Sequence, residues 1–214
     1  MKKLNLAAMA AAAVLAAACT PAPTAPAPAE AGTETLAQEA ALQTIMTRTS
    51  VRTYQQGRAV EPEKIEAMLR AGMAAPTAVN RQPWHFVVVD DTTQMDALAQ
   101  ANGRPQMIKA APLAIVVCGD LEKTPEGPGQ QFWIQDCSAA TENILLAAHA
   151  LGLGAVWTAL YPMEERYRPV QEALQLPSTM LPLCTIVIGY PDGEQTPKDK
   201  YKPENVSRNV YGQR

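Results

Sequence analysis

Two short segments carry residue types suited to binding anions and heterocycles. In Arg48-Thr49-Ser50-Val51-Arg52, an extended backbone would put Arg48, Ser50 and Arg52 on one side and Thr49 and Val51 on the other, because successive strand side chains alternate. Two guanidinium forks with a hydroxyl between them form a receptor for phosphate or another planar anion. Two solvated arginines beside a helix end have the same sequence. The second segment, Ala75-Pro76-Thr77-Ala78-Val79-Asn80-Arg81-Gln82-Pro83-Trp84, sets a hydroxyl, two amides and a guanidinium between two prolines. Side-chain amides read a heterocycle's edge only when they are held in place, and the prolines stiffen the loop. The alternative is a polar loop before a strand, with Trp84 as its core anchor. Lys200, Lys202 and Arg208 form a third basic group in the C-terminal tail, which by itself reads as a solvated end.

Missing motifs narrow the chemistry. The chain has no GxGxxG after a strand, no GxxxxGK[ST] and no GxSxG, so a Rossmann dinucleotide site, a P-loop and a nucleophile elbow lack their signatures. His85 and His149 are the only histidines and have no HxxxH spacing, which argues against a His-rich zinc site. No CxxC occurs. Cys118, Cys137 and Cys184 sit in apolar surroundings and read as buried small hydrophobes rather than redox catalysts.

The 214 residues are 47% hydrophobic, 18% charged and 5% aromatic, a globular composition with enough chain for one substantial core. Lys and Arg number 18 against 21 Asp and Glu, a net −3; without Lys2 and Lys3 it is 16 against 21, or −5. That balance excludes a general nucleic-acid footprint but leaves room for a local anion site.

Residues 1–18, a basic start and a short Ala/Leu/Val run, read as an export signal, too short to span a bilayer permanently. Leu15-Ala16-Ala17-Ala18-Cys19 resembles a bacterial lipobox with Cys19 as the lipidated residue, although Leu15 stands four positions before the cysteine instead of three. Cleavage after Ala18 without lipid, or an uncleaved anchor, are the alternatives. Thr20 in place of Asp directs such lipoproteins to the outer membrane, so the expected location is the periplasmic face of that membrane. Residues 19–35 read as a Pro/Ala-rich linker, extended over 20–33, and 36–214 as one domain.

Within that domain the pattern predicts helices at 36–47, 62–74, 93–101, 131–152 (the longest) and 163–175. Strands are expected at 84–90, over LAIVVCGD and over LCTIVIGY, with GAVWTAL a strand or extended loop. The tail from 191 shows no strong periodicity. Alternating helices and apolar strands suggest a doubly wound parallel sheet by default.

In order along the chain, RTSVRTY, APTAVNRQPWHFVVVDD, APLAIVVCGD, ENILLAAHALGLGAVWTALYP, LCTIVIGYP and KYKPENV resemble the FMN-dependent nitroreductase family. The resemblance spans nearly the whole domain. It implies an α/β (α+β) fold with a mixed, largely antiparallel central sheet flanked by helices, which replaces the parallel default. It also implies a homodimer binding FMN noncovalently in an interface groove, with NAD(P)H as donor and an electron-poor small molecule, such as a nitroaromatic or quinone, as acceptor. No side chain would serve as a nucleophile, because the chemistry belongs to the flavin. The implied flavin contacts are Arg48, Thr49, Ser50 and Arg52, then Pro76, Thr77, Asn80 and Gln82, then Trp157, Thr158 and Ala159 along the ring, and Lys200 or Lys202 at the phosphate. Arg48 or Arg52 would stabilise the reduced anionic flavin. The family usually has Ser at Thr77 and often Gly at Val79. The competing expectation is a membrane-tethered flavin- or ligand-binding lipoprotein without NAD(P)H turnover.

Overall fold

The computed structural model describes residues 28–213, so the leader, Cys19 and the spacer through residue 27 lie outside the described residues. Helix α1 runs Pro28–Thr47 and, at 20 residues, is one longer than the helix expected to be longest. Residues 28–35 of the expected linker are therefore helical, and over 28–33 an extended chain was expected. The Pro-Ala alternation stops at Pro28, which suits a first helical turn, and Ala and Glu, good helix formers, dominate the next several residues. The chain divides between Ala37 and Gln38 into two units. All further elements belong to the second.

That unit contains α2 (Pro62–Met73), β1 (Trp84–Val89), α3 (Thr92–Ala101), α4 (Pro105–Lys109), β2 (Leu113–Asp120), α5 (Phe132–Ala150), β3 (Gly154–Ala159), α6 (Glu164–Ala173) and β4 (Met180–Gly189). Local chemistry fixes several boundaries. Pro62 opens α2 with its backbone already at helical φ. The Asp91 carboxylate caps α3 by accepting from the Gln94 amide at 3.0 Å. Gly152, at φ 75°, ends the turn after α5 in the left-handed conformation that glycine adopts without strain.

The sheet order is β1-β2-β4-β3, and every neighbouring pair is antiparallel. This corrects the parallel default and agrees with the mixed, largely antiparallel sheet that the family resemblance implies, the one parallel pairing among the described residues being an isolated bridge from Ser50 to Ala155. The default failed because LAIVVCGD is apolar for a reason that says nothing about strand direction. Leu113, Ile115 and Val117 pack on one face with α2 and α5, while Ala114, Val116 and Cys118 pack on the other with α3, α4 and α6. A strand covered on both faces reads as a continuous apolar run whichever way its neighbours point. Each fully buried Leu, Ile or Val contributes about 1.5–3 kcal/mol relative to exposure, so this central pair anchors the domain. Cys118, Cys137 and Cys184 are free and buried, as their settings predict.

Candidate functional site

Strand β3 forms one edge of the sheet, and the 48–54 segment is fastened to it. Ser50 makes a single parallel bridge to Ala155, and the Val51 amide donates to the Ala155 carbonyl at 3.0 Å. Gly154 permits that approach: a Cβ there would lie 2.6 Å from a Val51 methyl. Tyr54 locks the far end. Its buried hydroxyl sits 2.7 Å from the Val51 carbonyl and 3.0 Å from the Val187 carbonyl as donor, and burial pushes its pKa up despite the opposing pull of Arg52.

This fastening displays the polar residues. Arg48, Thr49, Ser50 and Arg52 line a cavity of about 230 Å³, joined by Lys198 and Lys200 from the tail. Strict alternation would turn Thr49 away with Val51, but the segment is held only by isolated bridges at Ser50 and Tyr54 and Arg48 still closes a helical hydrogen bond to Thr44, so Thr49 lines the same space. Lys202 does not line the cavity, and Lys198, which sequence reading passed over, does. The two-residue spacing of Lys198 and Lys200 was the available signal. The tail is held close because the Asp192 amide donates to the Thr53 carbonyl at 3.1 Å and the Thr53 hydroxyl donates to the Asp192 carbonyl at 3.1 Å.

The two arginines differ. Arg48 is ion-paired with Glu142 of α5 at 3.3 Å. Among the described residues Arg52 makes only a long 3.4 Å bond to the Ser50 carbonyl, and it also borders a second cavity of about 160 Å³ lined by Trp157, Thr158, Ala159, Arg104 and Arg166. The Thr158 hydroxyl is committed inward, donating to the Thr185 carbonyl at 2.9 Å. Arg104 and Arg166 were not anticipated, because neither stands in a patterned motif.

The loop after α2 stands apart from both cavities: Pro76, Thr77, Asn80 and Gln82 line neither. It is nevertheless rigid. The Asp136 carboxylate of α5 accepts the Ala78 amide at 2.9 Å, the Thr77 hydroxyl oxygen accepts the Gln82 amide at 3.2 Å, and the Gln82 side-chain amide donates to Asn80 Oδ1 at 2.9 Å. Val79, Asn80 and Gln82 all have positive φ, at 44°, 55° and 50°. Three such residues in a hydrogen-bonded surface loop are a strained, preset arrangement of the kind found at binding sites.

An antiparallel sheet between helical layers, with a cavity lined by four cations beside the segment bridged to its edge strand and a strained polar loop elsewhere, defines the protein as an α/β domain with a concentrated basic cavity. Residues 45–103 and 94–190 match the model of the nitroreductase family, and the chain belongs to that family. An Archaeoglobus fulgidus protein provisionally named NADH dehydrogenase/NAD(P)H nitroreductase is 43% identical over 81% of this chain and 99% of its own length. The crystal structure of a Bacteroides thetaiotaomicron protein with the same provisional name is 48% identical, with TM-score 0.75 over 80% of this chain and 98% of that one. A provisionally named nitroreductase from Desulfovibrio desulfuricans, solved in complex with FMN, is 31% identical with TM-score 0.70 over 80% of this chain and 97% of that one.

Proposed function

We propose that the protein is an FMN-dependent oxidoreductase that takes reducing equivalents from NAD(P)H and delivers them to an electron-poor acceptor. The observation that carries this reading is the cavity lined by Arg48, Arg52, Lys198 and Lys200 together with Thr49 and Ser50, a donor set suited to a phosphate monoester. When bound, FMN would supply the chemistry, accepting hydride from a reduced nicotinamide and passing it to a nitroaromatic, a quinone or a similar acceptor. Lys198, Lys200 and Arg48 would neutralise the phosphate, with Glu142 holding the Arg48 guanidinium in place. Arg52, shared by both cavities and without an ion pair among the described residues, would offer positive charge toward a ring lying along Trp157–Ala159. The protein's task is binding, orientation and electrostatics.

Each cavity is smaller than the roughly 300 Å³ at which ligand pockets begin. A second copy would complete the groove by bringing its own 76–82 loop to it. The exposed apolar stripe Leu42, Ile45 and Met46 on α1 supplies a surface for that association. The leader sequence supports export and anchoring at Cys19, which would put the enzyme at a periplasmic membrane face.

The test is the visible spectrum of the purified full chain before and after incubation with FMN, followed by addition of NADH or NADPH. A retained flavin that bleaches on adding either nucleotide is expected. Flavin reduced by dithionite alone would make the protein a flavin carrier, and a colourless chain would overturn the reading. Arg52→Ala is expected to lose most of the FMN while keeping its circular dichroism; full retention would remove Arg52 from the site.

A further inference from the structure

Beyond the phosphate cavity, the same sheet edge carries a second cationic site. Arg104 and Arg166 line the cavity that also contains Arg52, and both continue into a neighbouring cavity of about 300 Å³ that includes Asn102, Gly103, Ala159 and Glu165. Among the described residues neither guanidinium has an ion pair or a side-chain hydrogen bond. The first of these cavities holds three arginines and no carboxylate, in a chain whose net charge is −3. Glu165 is the one acid in the second, against two arginines. Unpaired cations gathered in concave space are poised for an anion.

Arg104 is also held in place. It follows Gly103, whose φ of 70° turns the chain out of α3, and Asn102 before it is buried. The Asn102 side-chain amide donates to the Thr185 hydroxyl at 2.9 Å and, more weakly, to the Thr158 hydroxyl at 3.4 Å. The Arg104 turn is thus tied to β3 and β4 through a buried polar network, which fixes its backbone relative to Trp157–Ala159. Arg166 comes from the first turn of α6 and lines the same cavity with Ala159.

We infer that Arg104 and Arg166 form a subsite for an oxyanion substituent, a carboxylate or a phosphate, on the molecule that exchanges electrons at the flavin. The inference rests on the proposed function and names its substrate class: an acceptor bearing a carboxylate, or a nicotinamide donor gripped by its phosphate. Arg52 is assigned to the flavin, whereas Arg104 and Arg166 serve the visiting substrate. Glu165 disfavours a second negative charge beside the first, so a single oxyanion is the preferred guest.

The test uses the full chain loaded with FMN and two pairs of non-reducing ligands. Benzoate is titrated against benzamide, and nicotinamide mononucleotide against nicotinamide riboside, following the bound-flavin spectrum and the heat of binding. In at least one pair the oxyanion-bearing member is expected to bind about tenfold tighter or more, the effect of one charge-assisted hydrogen bond. Discrimination in the first pair identifies an acidic acceptor, and in the second the donor's phosphate. Arg104→Gln and Arg166→Gln should each bring that ratio toward one while FMN stays bound. Equal binding within both pairs in the wild type, or a ratio that survives both substitutions, would overturn the subsite. Loss of FMN from Arg104→Gln would also overturn it, by assigning that residue to the flavin. A wild-type chain that takes up no FMN would instead sink the proposed function, and the subsite with it.

Discussion

Cys118, Cys137 and Cys184 show what burial does to residues that could otherwise have been chemically active. Desolvation is the largest cause of the upward shift in all three, and it pushes the Cys184 thiol up to about 12. A buried thiol held in its protonated form is a poor nucleophile, because the thiolate is the reactive species. These residues therefore contribute packing, with the Cys137 thiol donating weakly to the Cys118 carbonyl at 3.5 Å. The shift has a consequence for stability. In the unfolded chain a thiol loses its proton from about pH 8.5, whereas the folded thiols hold theirs, so folding binds protons above that point. Their contribution is complete below about pH 8.5 and declines as pH rises, by up to about 1.4 kcal/mol per pH unit for each thiol. The urea midpoint in reducing buffer is expected to fall markedly between about pH 8 and about pH 10. An unchanged midpoint would mean that the three thiols are accessible in the folded protein.

At the scale of elements, the loop between α2 and β1 holds the least comfortable backbone in the described residues. Val79 is β-branched, 79% exposed and at φ 44°, where a Cβ normally costs about 1–2 kcal/mol. A glycine at this position would adopt the same path without strain. This chain keeps the path because Asp136, Thr77 and Asn80 hold the amides on either side. Val79→Gly should therefore stabilise the fold by about 0.5–1 kcal/mol, after subtracting glycine's greater unfolded entropy, because no packing is lost at so exposed a position. Thermal unfolding of the two proteins checks this, and a lower midpoint for the glycine variant would show that the Val79 side chain packs in the native state. The sequence revealed that this loop is stiff and polar, through its two prolines, but not that three of its residues are left-handed. That geometry is imposed by α5 through Asp136, far away in the chain.

For the whole molecule, long-range packing separates what was legible from what was not. The runs at β2 and β4 announced themselves because both faces are covered, but their direction stayed hidden because burial is the same in either sense. Helix α4, only five residues from Pro105 to Lys109, is too short for any periodicity. The arginines at 48 and 52 were legible from local spacing. Lys198 and Arg104 reach the same edge by tertiary routes, one through the pairing of Asp192 with Thr53 and the other through Asn102. The Pro76–Gln82 loop lines neither cavity within one chain, so under the proposed function its part in binding would come from a second copy. Leu42, Ile45 and Met46, exposed by 64%, 55% and 68%, lie three and four residues apart on one face of α1, a stripe that water would otherwise cover. Light scattering should therefore give twice the mass of one chain. Leu42→Glu combined with Met46→Glu should shift the protein to one chain and weaken FMN uptake by tenfold or so, since burying two carboxylates in the interface opposes association. A double variant that stays dimeric would put the interface elsewhere, and a monomer with undiminished FMN affinity would show that one chain's basic cavity holds the cofactor without the partner's loop.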